Sequence, residues 1–552
     1  MSNSYTNQLV SDKSSRAQLA CCLCQGTEFV YLFAGESHRV VRCLGCDLLR
    51  REPFAAFELI SEVLSETEKR TEKLAAQHYI RCLKELNIFK ADILYARHSE
   101  DDLLGPMLEQ AGHTVTHLTY LDDKRDQVAS AELNKFDCVI LYHRLQRSSD
   151  PLALLRYTRS VLKEDGQLFF VGLSLDSSPA RMFGKQWIGW KSGQNYFFSR
   201  PTLQMLLEKS GFMQIETAPD RREYTFEHAC KQLIGLSNSA VRQIISPFLF
   251  FLQLGLKSQI VHLQSSALIV NARKARILGR HKLSVIMPVF NEKNTFQEIF
   301  SQVNRKMIEG IAGVDDIEVI IVESNSTDGS RELVRSVQSD CVKVIFEDKP
   351  RGKGHAVRTG LKAATGEICI IQDADLEYDV DDYDALIAPI VEYKRTFILG
   401  TRHAGQWKIR EFAGEALMAA LFNFGHILFT GIINIFFLQK LTDPFTMYKV
   451  FRRECIYKLK FECNRFDFDH ELVIKLIKKG YTPEEIPVNY KSRGFAEGKK
   501  VTVIRDPITW IIADVKYFFV SPFEDSRHEK LEVAPPETPG QDMNKDKDAI
   551  SV

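Results

Sequence analysis

Three short apolar segments in the C-terminal half of the chain run straight into polar and acidic residues. They read LSVIMPVF from Leu283, IEVIIVE from Ile317 and EICIIQ from Glu367. Apolar runs of this kind, alternating with helical stretches, predict parallel strands buried on both faces. Because ligands bind at the carboxyl ends of such strands, Glu323, Asp373 and Asp375 are expected at one edge of an open α/β sheet.

Two further features point to a metal ion and an anionic ligand at this edge. Asp373 and Asp375 lie one residue apart just past a buried strand, where two carboxylates are costly unless they bind a cation. Oxygen ligands beside a diphosphate suit Mg²⁺ or Mn²⁺. Upstream, the loop Arg351–Ala356 (RGKGHA) enters a helix, and glycines there let the backbone approach a phosphate. Alone, this loop is equally consistent with an ordinary helix entry.

The motifs that run through residues 281–523 form one linked set. They are PVFNE, VESNSTDGS, RGKGHAVRTGLKAATGEICIIQDADLEYDVDDY, LGTRH, LTDPFTMYKVFRRE, FDFDHELVIKLIKKGY and IPVNYKSRGFAEGKK. The set resembles a family 2 glycosyltransferase of the type that moves a sugar from a nucleotide to a polyprenyl (dolichyl-like) phosphate. The resemblance implies a GT-A fold, which is a nucleotide-binding α/β sandwich, and inversion of the sugar's anomeric centre.

The resemblance also implies roles for matched residues, with a UDP- or GDP-linked sugar as donor. The nucleoside pocket would be lined by Pro288, Phe290, Glu292, Glu323 and Asp328. The diphosphate would be bordered by Arg351, Lys353 and Gly354. A Mg²⁺ or Mn²⁺ bridging the diphosphate would be held by Asp373, Asp375 and Glu377, with Asp373 also near the nucleotide.

The acceptor decides which further residues are catalytic. A phosphate is already ionised near neutral pH, so it needs cations to seat it and no general base. The predicted cations are Arg402, Arg410, Arg493 and Lys499. If the acceptor were instead a glycan hydroxyl, Asp443 or Glu471 could serve as the base. With a phosphate acceptor, these two carboxylates would orient Arg493 or Lys449.

Three apolar stretches come partway to a membrane span, which needs about 18–20 apolar residues. They cover 244–256, 427–438 and 509–523. Core helices and helices lying on a membrane surface both remain open for them. With a lipid acceptor, we expect a cytoplasmic protein that is peripheral on the inner membrane face. Lys+Arg and Asp+Glu are both 72, which argues against a nucleic-acid partner.

The N-terminal cysteines predict a structural metal site. Cys21-x-x-Cys24 and Cys43-x-x-Cys46 are separated by eighteen residues, a spacing typical of a closed, tetrahedral zinc site. Gly26 and Gly45 lie where the two tight turns would form, and Cys22 leaves open which N-terminal cysteine is a ligand.

The middle of the chain alternates predicted strands and helices. Together with the cysteines, the following segments resemble a class I S-adenosylmethionine methyltransferase with an N-terminal zinc-binding segment: CCLC…RCLGC, FDCVILYH, SSDPLALLRYTRSVLKEDGQLFFVGL and WIGWKSGQNYFFSRPTLQMLLEKSGF. Three departures favour a degenerate domain that no longer binds S-adenosylmethionine. The turn after the first strand, ARHSEDD, has no glycine, and the second strand meets no carboxylate before Asp122. Gln146-Arg147 stands where a Glu-His pair is common.

The expected fold class is α/β, with two Rossmann-like three-layer domains preceded by a small zinc ribbon. The predicted divisions are a disordered 1–20, a zinc ribbon at 21–52, a methyltransferase-like domain at 53–225, a helical linker at 226–280, a GT-A domain at 281–523 and a disordered tail at 524–552. Besides sugar transfer to a lipid phosphate, three alternatives stay open. They are transfer to a glycan hydroxyl in cell-surface polysaccharide synthesis, a protein that also methylates, and a non-catalytic scaffold.

Overall fold

The structure, a computed structural model, divides the chain into two compact units, Met1–Gly279 and Arg280–Val552. It describes residues 20–34, 38–55, 65–96, 102–118, 133–191, 193–226, 259–275, 281–403, 416–492 and 505–520. The two termini that were expected to be disordered lie outside these residues, except for Ala20.

The first unit alternates strands and helices from its cysteine region onward. Its strands are β1 (Phe29–Ala34), β2 (Arg39–Cys43), β3 (Leu49–Glu52), β4 (Asp92–Ala96), β5 (Thr114–His117), β6 (Phe136–Tyr142), β7 (Leu162–Leu173), β8 (Tyr196–Phe197), β9 (Phe212–Thr225) and β10 (Ile260–Lys274). Its α-helices are α1 (Glu66–Glu85), α2 (Leu104–Gln110), α3 (Pro151–Val161), α4 (Ser178–Phe183) and α5 (Arg200–Lys209). Short 3₁₀ turns cover Leu145–Arg147, Gly184–Gln186 and Ile188–Lys191.

Six of these strands form one sheet in the order β5-β4-β6-β7-β10-β9. Strands β4, β5, β6 and β7 pair in parallel, whereas β10 is antiparallel to both β7 and β9. The centre of the sheet is apolar: Ile93, Cys138 and Phe169 are fully buried on neighbouring strands. The core confirms the predicted parallel α/β layering of this part of the chain.

The expectation of a helical linker over 226–280 is wrong for residues 260–274, because they form β10. The run ALIVNA alternates between the two faces of the sheet and is buried between β7 and β9. Its apolar residues suit a strand with neighbours on both sides as well as they suit a helix. The other part of that segment, 227–258, lies outside the described residues.

A four-stranded antiparallel sheet in the order β1-β2-β3-β8 carries the cysteine region. Its last strand, Tyr196–Phe197, comes from a later part of the same unit. The cysteine region is therefore built into this unit by backbone pairing between Leu49 and Phe197.

The second unit is a second α/β sheet. Its strands are β11 (Lys282–Val289), β12 (Asp316–Glu323), β13 (Val342–Phe346), β14 (Ile368–Ile371), β15 (Phe397–Thr401), β16 (Lys449–Arg452) and β17 (Glu484–Pro487). Its α-helices are α6 (Phe296–Glu309), α7 (Ser330–Arg335), α8 (Lys353–Ala363), α9 (Tyr383–Val391), α10 (Ala416–Phe437), α11 (Asp467–Lys478) and α12 (Arg505–Phe519). Short 3₁₀ turns cover Val380–Asp382 and Arg453–Ile456.

The seven strands of this sheet lie in the order β13-β12-β11-β14-β16-β15-β17. The first four are parallel, β16 is antiparallel to both of its neighbours, and β15 pairs in parallel with β17. Apolar residues from both faces form one large core, which includes the fully buried Ile286, Ile320 and Ile370. The predicted fold class of two α/β sheets is confirmed.

The two apolar stretches of this unit form helices α10 and α12. The predicted stretch 427–438 is the second half of α10, and the stretch 509–523 falls largely within α12. Among the described residues, no helix is both long enough and apolar enough to cross a bilayer. The stretch 244–256 lies outside the described residues.

Candidate active site

Strand register brings the predicted donor-binding residues to one edge of the second sheet. Val289 on β11 lies opposite Glu323 on β12. On the other side of β11, Ile286 lies opposite Ile371, and the Gln372 N–H donates to the Ile286 carbonyl at 2.9 Å. Asp373 therefore leaves the sheet close to the level at which β12 ends. The parallel arrangement gathers these residues as the sequence predicts.

Side-chain hydrogen bonds join the loops that follow β11, β12 and β14. The Asn291 N–H donates to Ser326 Oγ at 2.9 Å, and Asn291 Oδ1 accepts from the Thr327 N–H at 2.9 Å. Thr295 Oγ1 lies 3.1 Å from Glu292 Oε2 and 2.8 Å from the Ala374 carbonyl. Thr295, which sequence reasoning missed, thus links the PVFNE loop to the Asp-Ala-Asp loop.

Glu323, predicted to contact the donor's base, is fully buried at the end of β12. Its carboxylate accepts the Ser326 N–H at 2.6 Å, the Asn325 N–H at 3.2 Å and Arg331 Nη1 at 2.5 Å. Arg331 in turn lies 5.0 Å from the centre of the Phe346 ring. The carboxylate therefore shapes its own loop, and no pattern in the sequence points to Arg331 as its partner.

Asp328 holds the start of helix α7. It accepts the Ser330 N–H at 2.9 Å, the Ser330 hydroxyl at 2.6 Å and the Lys293 N–H at 3.1 Å. Burial alone would raise the pKa of Asp328, but these hydrogen bonds outweigh it and hold the pKa below its ordinary value. Pro288, Phe290 and Glu292, also predicted for the nucleoside pocket, are half-buried, and the Glu292 N–H donates to Ser330 Oγ at 2.8 Å.

Lys353 and Asp373 form an ion pair at the centre of the edge. Lys353 Nζ lies 2.5 Å from Asp373 Oδ1 and 2.7 Å from Oδ2. Burial alone would lower the pKa of Lys353, but the charge of Asp373, followed by that of Asp469, raises it. Lys353 is the first residue of helix α8, whose N-terminus favours negative charge. A cation and a carboxylate thus meet where the diphosphate and metal were predicted.

The glycines of the RGKGHA loop are required by close packing inside the unit. A Cβ on Gly354 would lie 2.5 Å from Phe468 Cβ and 2.8 Å from the Arg465 carbonyl. Gly352 has a φ of +106°, and a Cβ there would lie 2.4 Å from the Asn464 carbonyl. The loop therefore lies directly against residues 463–468. Arg351, the third predicted diphosphate contact, pairs at the surface with Asp348 at 2.9 Å.

Asp375 and Glu377, the other predicted metal ligands, are half-buried on the loop after β14. Glu377 Oε2 accepts the Tyr490 hydroxyl at 3.1 Å, and its carbonyl accepts the Lys491 N–H at 2.8 Å. In the part of the chain that the structure describes, Asp373, Asp375 and Glu377 do not converge into a three-ligand group. One or two carboxylates plus substrate phosphates is the usual protein share of a Mg²⁺ site.

Arg402, predicted to seat the acceptor phosphate, forms a buried two-pronged pair with Asp443. Its Nε and Nη2 lie 2.8 and 2.7 Å from the two carboxylate oxygens, and its backbone N–H donates to the same group at 2.9 Å. Burial alone would raise the pKa of Asp443, but the charge and hydrogen bonds of Arg402 hold it far below its ordinary value. Asp443 thus orients Arg402, a partner that the sequence analysis did not assign to it.

Glu471, the other possible base, is also tied into the protein. It accepts the N–H groups of Glu462 and Cys463, both at 2.9 Å, and Lys475 Nζ at 2.6 Å. These bonds shape the loop that packs against Gly354. Both carboxylates considered as bases for a hydroxyl acceptor are thus engaged in positioning other groups.

A second buried ion pair lies next to Lys353. Lys449 Nζ is fully buried and lies 3.1 Å from Asp469 Oδ1. Burial lowers the pKa of Lys449. Asp469 was missed as a site residue, although it lies in the matched FDFDHE motif and its spacing from Glu471 could have flagged it. The remaining predicted cations, Arg410, Arg493 and Lys499, lie outside the described residues.

The predicted cysteines of the first unit do converge. Cys21, Cys24, Cys43 and Cys46 place their sulfur atoms within 4.8 Å of one another, with Cys21–Cys46 and Cys24–Cys43 each at 3.5 Å. Four thiolates about 2.3 Å from a zinc at tetrahedral angles would lie about 3.8 Å apart. The group could therefore hold a metal, and it contains Cys21 in preference to Cys22.

The turns of this site depend on residues that the sequence did not single out. The left-handed positions are Gln25 and Asp47, with φ of +61° and +62°. Gly26 and Gly45 are needed for space, since a Cβ on Gly45 would lie 2.9 Å from Cys24 Sγ. The two glycines thus lie at the turns, as the sequence predicts, and they leave room for the thiols.

The carboxyl edge of the six-stranded sheet is occupied by internal contacts. Gln146 donates to the Leu173 carbonyl and accepts the Leu173 N–H, both at 2.7 Å. The Tyr142 hydroxyl lies 3.4 Å from Glu72, and burial raises the pKa of Glu72. Most of the glycine-free turn, 97–101, and Asp122 lie outside the described residues.

Comparisons with known families agree with this division. The model of "Glycosyl transferase family 2" matches residues 284–460, and that of "Methyltransferase domain" matches residues 57–217. The second unit carries a family 2 glycosyltransferase domain. The first unit carries a methyltransferase domain. Both predicted resemblances are confirmed.

Similar proteins match the glycosyltransferase domain. A dolichol-phosphate mannosyltransferase of Pyrococcus furiosus is 26% identical over 221 residues, which are 40% of this chain and 59% of that protein. One of Mycosarcoma maydis is 32% identical over 123 residues, 22% of this chain and 42% of that protein. A solved structure of glucosyl-3-phosphoglycerate synthase from Mycobacterium tuberculosis with Mn²⁺ and UDP-glucose has 18% identity and a TM-score of 0.31, covering 45% and 81% of the two chains. The chain therefore spans at most about three-fifths of these curated relatives.

Proposed function

We propose that this protein transfers a sugar from a UDP- or GDP-linked donor to a polyprenyl phosphate, with inversion and with the help of a divalent cation. The observation that carries the proposal is the edge at which Asp373, Asp375 and Lys353 meet the loop of Glu323. Curated relatives of this domain are dolichol-phosphate mannosyltransferases, which supports a lipid phosphate as acceptor.

The residues of this edge fit a divalent cation shared with a diphosphate. Asp373 and Asp375 are half-buried oxygen donors next to Lys353, and Mg²⁺ and Mn²⁺ prefer such oxygens. When bound, the cation would neutralise the charge that develops on the leaving nucleoside diphosphate. Lys353 and the N-terminus of α8 would add positive charge on the same side.

Acceptor binding is assigned to the side of the site that carries Arg402. Asp443 holds this guanidinium by Nε and Nη2. The remaining nitrogen, Nη1, is the one that Asp443 does not hold. A phosphate placed there would attack the anomeric carbon without a general base. The engagement of Asp443 and Glu471 in internal bonds favours this acceptor over a glycan hydroxyl.

The test is a transfer assay with Mn²⁺, scanning UDP- and GDP-sugars against a short-chain polyprenyl phosphate. We expect Asp375→Ala to lower transfer by about 10³-fold or more, since the metal contributes several kcal/mol of charge stabilisation. Asp381→Ala is the matched control, because Asp381 is an exposed carboxylate that pairs with Arg305 at 2.8 Å.

Two outcomes would count against the proposal. If the wild type transfers no sugar to the lipid phosphate but does transfer to a glycan, the acceptor is wrong. If Asp375→Ala and Asp381→Ala are equally active, the cation site is wrong.

A membrane surface is proposed as the place where the lipid acceptor is met. Helices α10 and α12 pack side by side, with the Phe436 and Phe518 rings 4.8 Å apart. The exposed apolar side chains of the two helices are Phe424, Ile427, Leu428, Ile435, Ile512, Val515 and Phe519, with Leu438 directly after α10. We call these residues the α10/α12 surface. Helices with one apolar face bind at the boundary between lipid headgroups and acyl chains.

Vesicle co-sedimentation tests this part of the proposal. Ile435→Glu combined with Leu438→Glu should weaken binding to anionic vesicles at least about tenfold, since each apolar side chain contributes up to about 1.5–3 kcal/mol when buried. Ile308→Glu is the control, because Ile308 is 80% exposed and lies on α6. Equal loss in the control, or no binding by the wild type, would contradict the membrane assignment.

For the cysteine group, the proposal is a structural zinc ion. Four thiolates in two Cys-x-x-Cys turns form a closed, tetrahedral donor set that suits Zn²⁺. The site would stabilise the fold and take no part in sugar transfer.

A further inference from the structure

Lys353 is paired with Asp373, whose carboxylate is proposed to hold the metal. Its ammonium contacts both oxygens of Asp373, and the two side chains are only 18% and 13% exposed. A Mg²⁺ coordinated by Asp373 would lie about 2.0–2.1 Å from one of these oxygens. The ammonium and the cation would then be like charges on one carboxylate, in a place where water screens them weakly. The cation can bind Asp373 well only if Lys353 moves away.

The protein around Lys353 offers it little alternative. The other carboxylates whose charges act on Lys353 are Asp469 and Asp375. Asp469 already pairs with the fully buried Lys449 at 3.1 Å, and Asp375 is itself a proposed metal ligand. Moving Lys353 to Asp469 would place two ammonium groups on one carboxylate. The group that could accept Lys353 instead is an anion at the start of α8, where Lys353 is the first helical residue.

We propose that the Lys353–Asp373 pair couples the two ligands of this site, so that a divalent cation and a nucleoside diphosphate each bind tightly only when the other is present. A bound diphosphate would draw the ammonium of Lys353 away from Asp373, and Asp373 would then be free to hold a divalent cation. This inference rests on the proposed donor site. It adds that each ligand tightens the binding of the other by the same factor, whichever binds first.

The wild-type protein provides the first test. Mn²⁺ is titrated into the full chain with and without UDP or GDP, and free Mn²⁺ is followed by electron paramagnetic resonance. We expect the nucleotide to tighten Mn²⁺ binding at least about tenfold, within the usual range of such couplings. By thermodynamic necessity, Mn²⁺ must tighten nucleotide binding by the same factor. Equal Mn²⁺ affinity with and without nucleotide would overturn the inference.

A substitution then assigns the coupling to the lysine. Lys353→Met removes the competing ammonium, so Mn²⁺ alone should bind about tenfold tighter and the effect of the nucleotide should shrink by a similar factor. Lys306→Met is the matched control. Lys306 is also mostly buried, and its Nζ lies 2.5 Å from the carboxylate of Asp384. Unlike Lys353, Lys306 lies on helix α6 and was not predicted to bind the donor. The melting temperature of both variants checks that they fold.

The results separate this inference from the proposed function. If Lys353→Met folds and binds Mn²⁺ alone no tighter than the wild type, the inference is wrong. If Lys353→Met leaves the coupling between nucleotide and Mn²⁺ unchanged while sugar transfer proceeds, the proposed function stands and the inference fails. If they bind with coupling that Lys353→Met removes but no sugar reaches a lipid phosphate, the inference stands and the proposed acceptor fails.

Discussion

The two units share one architecture and differ at the carboxyl edge of their sheets. In the first unit, Gln146 uses its amide on both backbone groups of Leu173. Asn195 does the same with Ala55, accepting its N–H at 2.7 Å and donating to its carbonyl at 3.0 Å. In the second unit, Asp373 is half-buried and its partner is the ammonium of Lys353.

This difference shows why a shared sheet does not imply a shared activity. An amide that is held on both sides by backbone groups fixes a loop and is costly to release. An ion pair between two flexible side chains can exchange each partner for a ligand of the same charge. Polar residues at the edge of a sheet therefore indicate a site only when their partners can be replaced. By this criterion the second unit carries the stronger case for chemistry.

The largest effect is expected at the zinc site that is proposed for the first unit. Cys24→Ser, or removal of metal by a chelator, should unfold the cysteine region, because the binding free energy of a closed zinc site is also folding free energy. The measurement is zinc content by mass spectrometry together with thermal unfolding. Since β3 pairs with β8, we expect the loss to extend beyond the cysteines into residues around Tyr196.

Cys22→Ser is the matched control for this experiment. Cys22 is adjacent to a ligand in sequence but is not one of the four converging cysteines. It should keep a full complement of about one zinc per chain, as a single four-thiolate site requires. Zinc loss in Cys22→Ser with retention in Cys21→Ser would contradict the assigned ligand set.

The next effect tests whether Asp443 serves structure in the second unit. Asp443→Asn leaves the buried Arg402 without its charge partner, which should cost about 3–5 kcal/mol of unfolding free energy. Because the pKa of Asp443 is depressed in the folded state, its contribution is complete above the unfolded pKa of about 3.9 and declines as the pH falls below it. Urea unfolding of both proteins between pH 8 and about pH 3 measures this.

A constant difference in stability between Asp443→Asn and the wild type down to the lowest pH would contradict the depressed pKa. Equal stability of Asp443→Asn and the wild type at pH 8 would contradict the structural role of the pair.

The smallest effect sharpens the comparison at the first unit's edge. Gln146→Glu removes the amide donor that faces the Leu173 carbonyl, and should cost about 1–3 kcal/mol of stability without changing sugar transfer. Gln77→Glu is a control, since Gln77 is exposed on helix α1. Added affinity for S-adenosylmethionine in Gln146→Glu, measured by calorimetry, would show that this edge can still serve a cofactor.

Patterns along the chain were enough to predict both sheets, the four cysteines and the edge at which Asp373 lies. Each of these depends on local periodicity or on spacing within about 25 residues, which sequence reasoning handles well. Strand β10 was missed because an apolar run between two neighbouring strands has no polar face to reveal its period.

Side-chain partnerships were beyond such reasoning. Arg402 and Asp443 are 41 positions apart, and each has several oppositely charged residues nearer in sequence. Glu323 gave no sign that Arg331 would bind it, and Glu471 gave no sign that it would hold backbone N–H groups. Whether a charged residue faces a ligand or another residue depends on which elements pack together.

The sequence by itself determined most of the elements, the family of the second unit and the set of charged residues available for chemistry. Local apolar periodicity and motif spacing carry that information along the chain. Only the tertiary structure decided which of those charges pair with each other. The pairs are Arg402 with Asp443, Arg331 with Glu323, and Lys353 with Asp373. The physical reason is that a buried charge needs a partner, and packing determines which partner is within reach.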